Sequence, residues 1–291
     1  MMRETAPDMP LVSVLLTSYN SGAYIGEAIR CVLEQTYPRL ELIVVDDGST
    51  DDSRERIAAA VAAGAPVPVR VLHQANLGQA AALNRAFDAA QGPVIALMDG
   101  DDTWAPDKVP EMVAMMTRHA GGGVYQHQMD NGLGHPLRRL LPSGDLFGAW
   151  QRAEVVDLAT RADLTGFNMV TSGLMFRREV LEAIMPIPEV LRACPDFYLF
   201  VLGCSQGPLY SYPGILGVWR FHEANAGKQE AFGFRNFVLP VVFETVNAAL
   251  RDRGFKIRFV YRRYAILLEP YRIVRDILRR RRRRDPSERF V

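Results

Sequence analysis

Two short acidic stretches hold the side chains best suited to chemistry. Asp46-Asp47-Gly48-Ser49 and Asp99-Gly100-Asp101-Asp102 together supply five carboxylates, and each stretch directly follows a short apolar run. Carboxylates brought close repel one another, and their pKa values climb unless a cation neutralises them. An all-oxygen ligand set selects a hard metal such as Mg2+ or Mn2+, which commonly also binds substrate phosphates. The two stretches therefore point to a metal–diphosphate site. Other phosphate chemistries find no support, because the chain contains neither G-x-x-x-x-G-K-[ST] nor a G-x-G-x-x-G after a strand.

Such a site exists only if a scaffold gathers the stretches. The first hundred residues alternate apolar runs with helical patterns. Leu11–Thr17, Glu41–Val45, Val67–His73 and Val94–Met98 read as strands. Ala23–Glu34, Asp51–Ala63 and Gln79–Ala90 read as the helices between them. Short apolar strands separated by helices of this length imply βαβ units and a parallel sheet covered on both faces. In such a sheet ligands bind at the carboxyl ends of the strands. Thr17-Ser18-Tyr19-Asn20 and both acidic stretches stand at those ends. Ser49-Thr50-Asp51-Asp52 reads as the cap and acidic first turn of the second helix.

After Trp104 the pattern loosens. Asp107–Arg118 reads as a helix, Val124–Gln128 as a strand, and the Gly- and Pro-rich segment Asn131–Gly148 as a mobile loop. Val170–Phe176 and Ile215–Phe221 read as strands, and Arg178–Ile184 and Asp196–Cys204 as short helices. Everything beyond Glu230 reads as helical.

Composition narrows the class. The 291 residues carry a net charge of +1, but 15 Lys and Arg against 5 Asp and Glu lie from Arg251 onward, leaving 19 basic and 28 acidic residues before it. An acidic body with a basic tail makes an anionic surface a partner for the tail alone. Tyr264, Leu267, Leu268, Tyr271, Val274 and Leu278 form an apolar stripe ahead of the arginine run Arg279–Arg284. That pattern suits either peripheral contact with an anionic membrane or docking on the protein's own core. Nucleic acid is not expected as a partner, since the body is acidic. Cys31, Cys194 and Cys204 are too scattered for a disulfide framework or a zinc site. With no secretory signal and no spanning segment visible, the expected location is cytoplasmic, with peripheral placement on the membrane face as the variant.

Val12 through Asn20, Gln35-Thr36-Tyr37-Pro38, Glu41 through Asp52, Asn76-Leu77-Gly78 with Asn84, and Asp99 through Trp104 together resemble a family 2 glycosyltransferase of GT-A fold. The resemblance runs from about residue 10 to 110, with a weaker continuation from Thr171 to His222. It implies an α/β fold: a Rossmann-like nucleotide-binding sheet, a mixed-sheet acceptor half and a C-terminal helical extension. The expected division is 9–230 for the GT-A domain, split into 9–105 and 106–230, with 231–291 as the extension. The implied activity is inverting transfer of one sugar from a nucleoside-diphosphate sugar, UDP-linked by preference, to an acceptor hydroxyl. The implied setting is polysaccharide, lipid-linked or cell-envelope glycan synthesis, with a glycan or lipid-linked acceptor.

The same resemblance assigns roles. Thr17, Tyr19, Asn20, Asp47, Asn84 and Asp99 would bind the donor nucleotide, with Tyr19 on the base and Asp47 accepting a uracil N3–H. Asp99 and Asp101 would hold Mn2+ or Mg2+, joined by His222, while Asp102 organises the turn. Asp196 would act as the base. Here Pro195 precedes it where the family carries Glu. Arg220 would meet phosphate, and Ser172 and Gly173 would floor the acceptor side. The alternative is a catalytically inactive GT-A domain serving as a binding or scaffold subunit. A nucleotidyltransferase fits less well, because Ser18-Tyr19-Asn20-Ser21-Gly22 offers no basic residue after the first strand.

Overall fold

The computed structural model describes residues 9–130, 132, 136, 141–153, 155–157, 170–220, 222 and 239–260. The first hundred residues form β1 (Val12–Ser18), α1 (Gly22–Leu33), β2 (Leu40–Asp46), α2 (Ser53–Ala62), β3 (Val69–His73), α3 (Gln79–Ala89) and β4 (Val94–Asp99). Each expected element of this half is present, with ends moved by up to about two residues, as terminal assignments do. There follow β5 (Thr103–Trp104), α4 (Lys108–Arg118), β6 (Val124–Asp130), α5 (Leu146–Ala153), β7 (Val155–Asp157), β8 (Leu174–Arg177), α6 (Arg178–Glu182), α7 (Pro195–Cys204), β9 (Leu209–Val218), α8 (Leu239–Asp252) and β10 (Arg258–Val260).

Eight strands form one sheet in the order β3-β2-β1-β4-β8-β6-β9-β5. β1 to β4 pair in parallel, whereas β8 pairs antiparallel with both β4 and β6, so the sheet is mixed. Side chains alternate across it. Leu15, Ile43, Val45, Ile95 and Leu97 join one buried cluster with Ala82, Leu83 and Phe87 of α3. Val14, Leu16, Leu42, Val44, Ala96 and Met98 join another with Ile25 and Ile29 of α1 and Met112 of α4. This period-two division explains why these strands read as unbroken apolar runs: each face has its own helical cover.

Five readings need correction. Asp52, not Ser49, stands at the cap of α2 and makes no side-chain cap bond, whereas Asp51 accepts from the amide and hydroxyl of Ser53 at 3.0 and 2.5 Å. Thr171–Gly173 is a 3-10 turn, so the strand begins only at Leu174. The last strand of the large sheet starts earlier than expected, at Leu209, and ends at Val218; Phe221 lies outside the described residues. The chain beyond Glu230 is not helical throughout, because β10 pairs in parallel with β7. Within the expected loop 131–148, Leu141 is buried and α5 begins at Leu146. The apolar stripe 264–278 and the arginine run lie outside the described residues.

Candidate active site

The parallel register brings the strand ends level: Thr17 stands beside Val45 on one side and Asp99 on the other. Thr17 is buried and its carbonyl accepts the Gly100 amide at 2.9 Å, while Tyr19 is 48% exposed at the rim. Asn20 adopts a left-handed φ of 50°, a conformation that asparagine tolerates. Its amide donates to Ser49 Oγ at 2.9 Å, and its side-chain oxygen accepts the Thr50 amide at 2.8 Å. Asn20 thus fastens the end of β1 to the turn after β2.

The two acidic stretches have divided their labour. Asp46 is fully buried and accepts from Arg54 Nε at 2.7 Å and the Ser49 amide at 3.2 Å. Burial raises its pKa, but the bonds from Ser49, Arg54 and His73 outweigh this and hold it below the ordinary carboxylate value. Asp47 binds the loop before α3: Oδ1 accepts Gln74 Nε2 at 2.8 Å and the Leu77 amide at 2.9 Å, and Oδ2 accepts the Gly78 amide at 2.8 Å. Gly78 has φ +98°, and a Cβ there would stand 2.7 Å from the Arg192 Cα, so the loop requires glycine.

Asp99, Asp101 and Asp102 converge, with one ligand oxygen from each lying within 4.8 Å of the others. Ser172 organises the group. Its hydroxyl donates to Asp102 Oδ2 at 2.6 Å and accepts the Asp99 amide at 3.0 Å. Gly173 is buried beside it in the same turn, where a Cβ would stand 3.4 Å from the His127 carbonyl oxygen. Gln79 Nε2 donates to Asp99 Oδ1 at 2.7 Å, and the Arg220 amide donates to Asp102 Oδ1 at 3.1 Å. His222 Nε2 lies 2.9 Å from Asp101 Oδ2. Burial, then the charges of Asp102, Asp101 and Asp196, push Asp99 well above the ordinary carboxylate value. Burial, then Asp101, push Asp102 up to about 8. Carboxylates so disfavoured as anions have the electrostatics of a cation site, and the donor set is oxygen with one imidazole. The residues fit a Mn2+ or Mg2+ ion.

A buried layer supports the cluster. Trp104 Nε1 donates to the Ser172 carbonyl at 2.8 Å, and Lys108 Nζ lies 3.4 Å from the centre of the Trp104 ring. Lys108 is fully buried and its Nζ makes no hydrogen bond, so burial holds its pKa well below the ordinary lysine value.

Asp196 stands in the first turn of α7, and its Oδ1 accepts the Phe197 amide at 2.9 Å. Pro195 occupies the opening of the helix, where a missing amide hydrogen costs nothing. The departure from Glu is therefore compatible with an intact helix start. Burial pushes Asp196 up to about 6, and its charge is felt at Asp99.

Two residues are engaged elsewhere. Both ends of the Asn84 amide pair with the Ile187 backbone at 2.8 Å, tying α3 to the segment after α6. The Arg220 guanidinium pairs with Glu27 Oε2 at 2.5 Å. Sequence reasoning missed Gln79, Tyr24, Glu27 and the bridging part of Ser172. Gln79 directly follows Asn76-Leu77-Gly78, and that adjacency was the available signal.

The glycosyl transferase family 2 model matches residues 13–185. An uncharacterised glycosyltransferase of Nostoc sp. is 34% identical over 219 residues, covering 74% of this chain and 66% of that protein. A putative teichuronic acid biosynthesis glycosyltransferase, TuaG of Bacillus subtilis, is 39% identical over 107 residues, 37% of this chain and 42% of that one. The chain thus spans less than two thirds of the length of these relatives. Among solved structures, S. aureus TarS 1-349 with UDP-GlcNAc superposes with a TM-score of 0.65 at 17% identity, over 82% of this chain and 66% of that one. Glucosyl-3-phosphoglycerate synthase of Mycobacterium tuberculosis, held with Mn2+, UDP and glucosyl-3-phosphoglycerate, gives 0.56 at 19% identity, over 82% and 80%. These likenesses identify the mixed sheet as a GT-A fold. A family model covering more than half of the chain, on a sheet of that fold, makes this protein a member of glycosyl transferase family 2.

Proposed function

We propose that this protein is an inverting, cation-dependent glycosyltransferase that moves a single sugar from a UDP-sugar to an acceptor hydroxyl. The observation that carries the reading is the convergence of Asp99, Asp101 and Asp102 at the strand ends, within reach of the charge of Asp196. A Mg2+ or Mn2+ ion held by the triplet with His222 would supply Lewis acidity to a departing diphosphate. Thr17 and Tyr19 line the rim where a base would lie, and Asp47 Oδ2, with one protein donor, keeps capacity for a uracil N3–H. Asp196 takes the acceptor proton, since a buried carboxyl near pH 6 is matched to work as a base at neutral pH.

The relative named for teichuronic acid synthesis supports an envelope or lipid-linked glycan as the acceptor class. A peripheral membrane setting, with the division into 9–230 and 231–291, remains part of this proposal. Among the described residues no helix is long and apolar enough to cross a membrane.

A thermal-shift panel of UDP-, GDP- and dTDP-sugars, with and without Mn2+, tests the reading, because a ligand bound only by the native state raises the melting point. UDP-sugars with Mn2+ should give the largest rise. Absence of any rise across the panel would refute the proposal.

A further inference from the structure

The segment leaving β9 reaches the acidic triplet from the far side, and its grip on α1 has no role so far. Tyr24 and Glu27 stand three residues apart on α1, hence on one face. The His222 ring stacks on Tyr24, with centroids 4.6 Å apart and planes 24° apart. The Arg220 guanidinium lies 5.5 Å from the centre of the same Tyr24 ring and reaches Glu27 Oε2 at 2.5 Å. One face of α1 therefore holds both side chains that flank position 221.

The start of α1 is itself fixed. The Gly22 amide donates to Asp51 Oδ2 at 2.9 Å, and a Cβ on Gly22 would collide with the Asp52 carboxylate. Tyr24 is thus presented from a helix end pinned to the start of α2. The backbone of the segment is held as well: the Arg220 amide donates to Asp102 Oδ1 at 3.1 Å, and the Trp219 amide to the Asp130 carbonyl at 2.9 Å. Those two bonds set the path of the backbone at Trp219 and Arg220. The Tyr24 face lies flat against the imidazole, whose Nε2 stands 2.9 Å from Asp101 Oδ2. Partners that orient a ligating imidazole shape metal affinity nearly as strongly as the ligands do.

We propose that Tyr24 and Glu27 are positioning residues that present His222 to the cation site, Tyr24 through its ring face and Glu27 through Arg220. The inference rests on the reading of the triplet as a divalent cation site.

Direct titration of Mn2+ into the metal-free protein, followed by the electron paramagnetic resonance of the free ion, tests it without an activity readout. Tyr24→Ala should weaken Mn2+ binding about tenfold to a hundredfold, the range for partners of a metal ligand, and Glu27→Gln, which loses a half-exposed ion pair, about twofold to fivefold. Tyr24→Phe keeps the ring and should bind as the wild type does. In a double-mutant cycle Tyr24→Ala should add nothing to His222→Ala, because both remove the same contact. Glu27 is half exposed, so Glu27→Gln remains informative should Tyr24→Ala fold poorly. Unchanged Mn2+ affinity in Glu27→Gln and Tyr24→Ala, or full additivity with His222→Ala, overturns the inference while leaving the cation site standing. A wild-type protein that takes up no Mn2+ overturns both.

Discussion

The Ser172 hydroxyl donates to Asp102 at 2.6 Å while the same oxygen accepts the Asp99 amide at 3.0 Å. One small side chain from the second half of the chain thereby holds the Asp102 carboxylate and the Asp99 backbone together. Ser172→Ala leaves the Asp102 oxygen and the Asp99 amide short of a partner in a buried place. The expected cost is about 1–3 kcal/mol in urea denaturation of the metal-free protein. A loss below about half a kilocalorie, the scale of a surface change, would show that the hydroxyl holds nothing.

Asp196 gives a pH signature with two readouts. Burial lifts its folded pKa to about 6, above the ordinary carboxylate value, so the protonated form favours the fold. That stabilisation is complete below about pH 4 and is lost as pH rises through 6. Asp196→Asn, which cannot ionise, should match the wild type near pH 4 and exceed it by about 1–3 kcal/mol near pH 8. With Asp196 as the proposed base, wild-type kcat/KM should fall as pH drops below 6, while Asp196→Asn keeps donor binding and loses most turnover.

Asn84 separates support from ligand binding. Its amide is bonded at both ends to the Ile187 backbone. Asn84→Ala should lower stability by about 1–3 kcal/mol. It should leave the Kd for UDP, measured by calorimetry, unaltered. A weakened UDP affinity with unchanged stability would restore Asn84 to the nucleotide site.

Asp47 holds the loop that ends in Gly78. Replacing it with Ala removes the acceptor for the Leu77 and Gly78 amides. Hydrogen bonds to a charged group contribute about 1.5–3 kcal/mol, so exchange of these two amides should speed at least about tenfold. Retained protection at both amides would mean that the loop is held by other contacts.

Much of the first half was legible because its chemistry is local. β1, β2 and β4 are buried on both faces and read as apolar runs, and the acidic stretches lie at the ends of β2 and β4. The misses are long-range. Gln79 meets Asp99 across 20 positions, and Ser172 meets Asp102 across 70. No periodicity records such pairings. The strand β10 escaped notice because three residues between a helix and a basic tail carry no alternation, and only pairing with β7 makes them a strand. The α2 cap was misplaced because four consecutive polar residues all satisfy the cap pattern, and only the fold chose Asp51 as the acceptor.

The central claim is that the carboxylates at the strand ends hold a cation against a diphosphate. Phosphorus relaxation of UDP by protein-bound Mn2+ tests it most directly. Both UDP phosphorus resonances should be strongly relaxed in the wild type, and Asp101→Asn should abolish the effect while the fold survives. UDP that binds with no relaxation of its phosphorus nuclei, or equal relaxation in Asp101→Asn, would contradict the account.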